Sequence, residues 1–161
     1  MEFLLDSCIV IDIGHTDPQI LDLLPLLGPT HFLNDLKKEA DVFKWLDPKE
    51  IRLEYLDADF EDIAFANEYV HQTGLSKQDL LCLRTAARHG WTVITNDKTL
   101  RNECLREGIP TQYEFYLIFE LVKAGILTKA EAGIFIRSVC QSNQRISKTV
   151  KQEALNKLTE L

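Results

Sequence analysis

LSKQDLLCLRTAARHGWTVITNDKTLRNECLREGIPT, residues 75–111, runs helix, strand, helix and strand in succession with the punctuation between them intact. Ser76 followed three residues later by Asp79 has the form of a capping box, and Leu80, Leu83 and Ala87 then recur at helical spacing. Gly90 stops that helix just after Arg88 and His89, cations that suit a last turn. Trp91 to Thr95 contains the β-branched run Thr92, Val93, Ile94 and Thr95 and reads as a buried strand, ended by Asn96 and Asp97. A second helix turns Leu100, Cys104 and Leu105 inward and closes at Gly108, and Ile109-Pro110-Thr111 opens a further extended piece. Helices alternating with short apolar strands imply a three-layer α/β/α sandwich with a mainly parallel central sheet.

Working outward, Glu2 to Leu5 reads as a strand ending at Asp6, and Ile9 to Ile13 fits either a continued strand or a helix before a break at Gly14. Asp17 to Leu27 reads as a helix ended by Gly28-Pro29. Thr30 to Leu33 is a second strand, and Asn34 caps an expected helix to about Trp45 with Leu36, Ala40 and Phe43 inward. On that helix Glu39 falls about 60° from the stripe, Asp35 about 100° and Asp41 about 140°. Ile51, Leu53 and Tyr55 alternate with Arg52 and Glu54 as in an edge strand. A helix from Asp57 to Thr73 follows, with Asp57, Asp59, Glu61 and Asp62 at its dipole-favoured start and facing mostly outward. Three helices follow residue 112: Tyr113 to Ala124, one begun by Thr128 and Glu131, and Val150 to Leu161. Residues 1–161 read as a single domain, with a core to about residue 125 and a helical tail that packs on it or on a partner.

With 161 residues, 45% of them hydrophobic, the chain can build a real core. A formal net charge of −7 excludes a broad basic face for nucleic acid, though phosphate can still bind where metal ions and a few cations offset the field. Cys8, Cys82, Cys104 and Cys140 form no CxxC pair and read as reduced thiols. No apolar run reaches membrane length, so a cytoplasmic protein is expected. No GxSxG, GxxxxGK[ST] or GxGxxG occurs, and the four histidines show no HxxxH pair.

Asp6 and Asp97 each end a strand, at the edge where open parallel sheets bind ligands. Asp79 and Asp97 also suit helix caps, and Glu39 suits a solvated helix face. If the first and last strands are neighbours, the four acids share one crevice, where like charges raise one another's pKa or bind cations. Oxygen ligands suit Mg²⁺ or Mn²⁺, the ions of phosphodiester hydrolysis.

FLLDSCIVI at the start, an acid after the second strand, then LSKQD and VITNDKTL followed by REGIP resemble the PIN-domain family of metal-dependent ribonucleases over about Glu2 to Gln112. The tail LIFELVKAGILTKAEA with RISK is similar to a prokaryotic PIN branch discussed with toxin–antitoxin modules of the VapC type. The resemblance implies Asp6, Glu39, Asp79 and Asp97 as catalytic metal ligands, with Ser7, Thr95 and Asn96 supporting them. It departs at Cys8, where the family often has Asn, and Asp35 competes with Glu39. It further implies RNA as substrate, Mg²⁺ or Mn²⁺ as cofactor and an antitoxin partner, while the helical tail is open to either a homodimer or a partner helix. Arg84, Arg88, Lys98 and Arg101 stand near enough in sequence to touch its phosphates. Two other readings are a PIN-like domain that binds without turnover and a phosphatase of the haloacid dehalogenase type. The second needs D-x-D after the first strand, and residue 8 is Cys.

Overall fold

Three of the strand segments are short and buried along their whole length, as strands covered on both faces by helices must be. The computed structural model describes residues 1–161. Strands β1 (Phe3–Leu5), β2 (Thr30–Leu33), β3 (Glu54–Leu56), β4 (Thr92–Ile94) and β5 (Thr111–Gln112) form one all-parallel sheet in the order β3-β2-β1-β4-β5. Phe3 pairs with Thr30 on one side and Thr92 on the other, so β1 is central and β4 is its neighbour. β3 is an edge strand with an exposed Glu54, as its alternating sequence predicts. The chain winds outward from β1 through β2 to β3, then returns to β1's other side with β4 and β5. Strand order reverses there, and the crevice beyond the carboxyl ends of β1 and β4 is the expected ligand position of such a sheet.

Two sets of helices cover the sheet. One comprises α3 (Phe60–Thr73), α4 (Lys77–His89) and α5 (Lys98–Arg106), and the other α1 (Ser7–Thr16), α2 (Gln19–Leu23), α6 (Glu114–Lys123), α7 (Lys129–Ser142) and α8 (Lys148–Glu160). The result is an α/β/α sandwich. One continuous cluster of buried side chains runs from Phe3 to Leu158, so the tail helices contribute Phe135, Ile136, Val139 and Leu158 to the same core. No helix is long and apolar enough to cross a membrane.

Both capping boxes form, at Ser76 with Asp79 and at Thr128 with Glu131. Gly74 and Gly90 take the left-handed conformation that ends α3 and α4.

Several expectations are corrected. Gly14 does not break the first helix but lies inside α1, where a Cβ would stand 2.8 Å from Val42 Cγ1. The helix expected from Asn34 to Trp45 is replaced by two 3₁₀ turns, Asn34–Leu36 and Asp41–Lys44. Val42 is fully buried against Gly14, yet on a regular helix it would lie about 120° round from Leu36, so one helix could not bury both. Leu105 is exposed, as is Ala87, with Ala86 taking the inward place on α4. Among the acids at the start of α3, Asp62 is 1% exposed instead of facing water.

Candidate functional site: a carboxylate crevice at the switch point

Asp6 follows β1 and is 5% exposed, an uncommon depth for a carboxylate. Three neighbours hold it. Thr95, at the end of β4, donates its hydroxyl to Asp6 Oδ2 at 2.7 Å and accepts the Asp97 backbone N–H at 3.0 Å. The Cys8 thiol donates to the same Oδ2 at 3.0 Å. Ser7 Oγ lies 3.4 Å from Asp6 Oδ1 and 3.2 Å from Glu39 Oε2, one hydroxyl proton shared between two carboxylates. The ends of β1 and β4 are thus tied through side chains as well as through Asp6 N–H to the Ile94 carbonyl.

Asp79 and Asp97 each serve a helix start with one oxygen. Asp79 Oδ2 accepts the Ser76 N–H at 2.9 Å, and Asp97 Oδ1 accepts the Leu100 N–H at 2.8 Å. The second oxygen of each makes no hydrogen bond in the protein, so capping a helix leaves a donor for the crevice. The acid that joins them is Glu39, which reaches Ser7 even though its segment is a turn and not a helix. Its competitor Asp35 accepts the Ala58 N–H at 3.0 Å and belongs to the link between β3 and α3.

The charges act on one another. Burial, and then the carboxylates of Asp6 and Asp79, raise Glu39 above the usual range of a glutamate, against the hydrogen bond from Ser7. Burial raises Asp79 as well, with Asp6 and Asp97 adding to it and the bonds to Ser76 opposing it. Neither is relieved by any lysine or arginine. Burial, then Asp6, pushes the Cys8 thiol well up, so it stays a proton donor to Asp6. Oxygen-only donors that repel one another without a counter-cation fit a hard divalent ion in chemistry. As the side chains stand, however, no three acid, histidine or cysteine groups are arranged to hold one ion.

The supporting residues divide. Ser7 and Thr95 contact Asp6 as expected. Asn96 turns the other way: its amide donates to Glu114 Oε2 at 3.0 Å and to Asp12 Oδ2 at 3.3 Å. Asn143 donates to both oxygens of Asp12, at 3.0 and 2.8 Å. Behind the crevice lies a second polar group the sequence reading missed, Asp12, Glu114 and Asn143, whereas Cys8, noted there as a departure from the family's Asn, makes a polar contact with Asp6. An acid set inside apolar runs, VIDI and YEFYLIF, was the available signal. Burial and the charge of Asp12 push Glu114 up to about 8, against the Asn96 bond, and its Oε1 is buried without a partner.

Two of the residues expected at phosphates, Arg84 and Arg88, are paired with acids of α3 and its cap. Arg88 lies 2.9 Å from both Asp59 and Asp62, and Arg84 lies 3.6 Å from Asp62 with its guanidinium 4.4 Å above the Phe65 ring. The buried Asp62 demands these cations, which tie α4 to α3. Lys98 is exposed in the first turn of α5 without an ion partner, and Arg101 lies 3.9 Å above the Tyr113 ring.

Residues 29–103 match the family model described as PIN domain, a span that includes Glu39, Asp79 and Asp97 and begins after Asp6. No curated protein matches the chain.

Proposed function

The chain belongs to the PIN domain family, whose members are generally nucleases, and from that premise we propose a metal-dependent endoribonuclease with Asp6, Glu39, Asp79 and Asp97 as its metal-binding acids. The observation that supports this reading is geometric: Ser7 bridges Asp6 and Glu39 at the switch point, and Asp79 and Asp97 each keep one oxygen that helix capping leaves without a hydrogen bond. Mg²⁺ or Mn²⁺ bound there would polarise a phosphodiester and lower the pKa of an attacking water. Asp6 is the fixed member, its orientation set by Thr95, Cys8 and Ser7. Asp79 and Asp97 each offer the oxygen that capping leaves over. Glu39 is exposed and tethered through Ser7 alone, so its side chain can swing inward to complete the set.

The overall charge of −7 supports local capture of a strand over attraction to a whole duplex face. Single-stranded RNA suits such a crevice, because unpaired nucleotides can enter it. Four free thiols fit a reducing, cytoplasmic setting. The continuity of the core supports a single domain over residues 1–161. The antitoxin partner implied by the resemblance and the homodimer that the helical tail would allow belong to the same proposal, and co-purification and light scattering test them.

Cleavage of a labelled structured RNA with Mg²⁺ or Mn²⁺ is the deciding experiment, run against chelator and against Asp6→Asn and Asp97→Asn proteins. Cleavage should need metal and vanish in both variants. Activity that survives the substitutions would belong to a contaminant. Inactivity of the wild type on several RNAs, with metal binding retained, would favour a binding module.

A further inference from the structure

On the β5 side of the crevice, α6 and α8 enclose an open groove of about 290 Å³. Asn96, Tyr113, Tyr116, Phe119, Val150 and Lys157 line it. Asn96, which follows β4 and precedes Asp97 in sequence, lines the groove, so the groove lies on the β5 side of the strand end that carries Asp97. Its chemistry differs from that of an ordinary apolar cleft. Tyr113 is 52% exposed and carries the Arg101 guanidinium on its ring, while Lys157 Nζ lies 5.0 Å from the centre of the Phe119 ring. Neither cation has a carboxylate within ion-pair distance, in contrast to Arg84 and Arg88, and Nη1 of Arg101 is buried without a partner. Only one acid, Glu153, lines the groove.

Tyr113 is exposed and Tyr116 half-buried, above a buried Phe119, and rings at such a surface beside unpaired cations suit single-stranded nucleic acid, bases on the rings and phosphates on the charges. A helical protein partner would instead want a continuous aliphatic stripe. The sheet supplies the direction. At about 4.8 Å per strand, the carboxyl edge from β3 to β5 spans roughly 19 Å, room for several nucleotides. Asn34, Lys38, Asp57 and Lys77 line a polar recess at the β2 and β3 end, the acids sit after β1 and β4, and the aromatic groove follows at β5.

We propose that the groove between α6 and α8 is a nucleobase subsite for single-stranded RNA. Tyr113 and Tyr116 stack on bases next to the phosphate at the carboxylates, and Arg101 and Lys157 neutralise the adjoining backbone. This rests on the nuclease reading for the identity of the polymer, and its test reads binding and not turnover.

The full-length Asp97→Asn protein in Mg²⁺, with a fluorescein-labelled single-stranded RNA, gives the affinity by anisotropy. Adding Tyr113→Ala should weaken binding about tenfold, the usual scale for one lost stack. Lys157→Glu should weaken it and flatten the salt dependence, and Glu153→Gln should tighten it. Circular dichroism melts of these exposed-site variants confirm folding. A 4-thiouridine probe should crosslink within residues 113–119. Unchanged affinity in the groove variants, crosslinks confined to the Lys38 and Lys77 recess, or no RNA binding at all would each overturn the subsite. The two readings separate cleanly. Groove-dependent binding without cleavage by the wild type sinks the nuclease and keeps the groove. Wild-type cleavage whose KM ignores Tyr113→Ala does the reverse.

Discussion

Thr95 makes two bonds with one hydroxyl, and both its partners lie at the heart of the crevice. Replacing it with valine keeps the shape, leaves the Asp97 N–H unpaired and removes one of the donors to Asp6 Oδ2. Thr95→Val should cost about 1–3 kcal/mol in urea denaturation, the scale of a buried polar group left unpaired. Nuclease activity should fall by more than that loss of folded protein explains, since Asp6 then loses its orientation. Glu114 gives a second test at this scale. Its folded pKa, raised to about 8 from the usual 4.5, means the native state holds a proton that the unfolded chain has released. Stability is therefore unaffected below about pH 4.5, falls as pH rises towards 8, and levels off above. Asp12 and Asn96 face it, and the shift of Asp12 itself, raised by burial against Asn143 and Asn96, acts in the same direction. Glu114→Gln removes the titrating group, so thermal melts should show the variant gaining on the wild type between pH 6 and pH 9, with little difference at pH 4.5.

Among the elements, the contact that rewrote the sequence expectation is Gly14 on Val42. Gly14→Ala should destabilise by about 1–3 kcal/mol through overpacking, with Val42→Ala in the same chain recovering part of the loss. Failure of the double variant to recover anything, in denaturant titrations, would show that the close approach is not the cause. The segments legible in the sequence were those whose signals are local. The capping boxes, the left-handed glycines after α3 and α4, and the β-branched strand at Thr92 all depend on neighbours within a few residues. What was not legible depends on contacts distant in sequence. Val42 buries itself on a glycine 28 positions earlier (42 minus 14), and that contact breaks a helix its own segment would support. Asn96 points to Glu114 and Asn143 shares Asp12, pairings that no spacing rule foresees. Among the acids proposed for the site, Asp6, Asp79 and Asp97 stand out in the sequence because each marks a strand end or a helix start. Glu39 lies on a turn and is exposed, with Ser7 as its one hydrogen-bond partner, so the helical geometry behind its expected inward direction is absent.

For the whole molecule, the proposed metal site ties stability to pH and to added cations. Glu39 and Asp79 are raised, so without metal the fold loses stability as pH climbs above the ordinary carboxylate range. Added Mg²⁺ or Mn²⁺ should raise the Tm at pH 7.5 and do progressively less towards pH 5, where protons compete for the same oxygens. Glu39→Gln should melt at or above the wild type without metal and show a smaller metal-induced rise. Differential scanning fluorimetry in chelator and in each ion checks both. A metal-independent Tm in the wild type would leave the crevice without its proposed occupant.

The double duty of Asp79 and Asp97 bears on how such a protein could change by descent. A lineage that gave up its chemistry but kept its fold would be free to drift first at Glu39, which caps nothing. At position 97 only another N-cap residue such as Asn, Ser or Thr keeps the start of α5, and at position 79 Glu or Gln can restore the reciprocal bond to Ser76. Decay of the enzyme would leave its mark at one acid long before the other two, and relatives with an altered residue 39 beside an intact 79 and 97 would be the ones to assay for lost turnover.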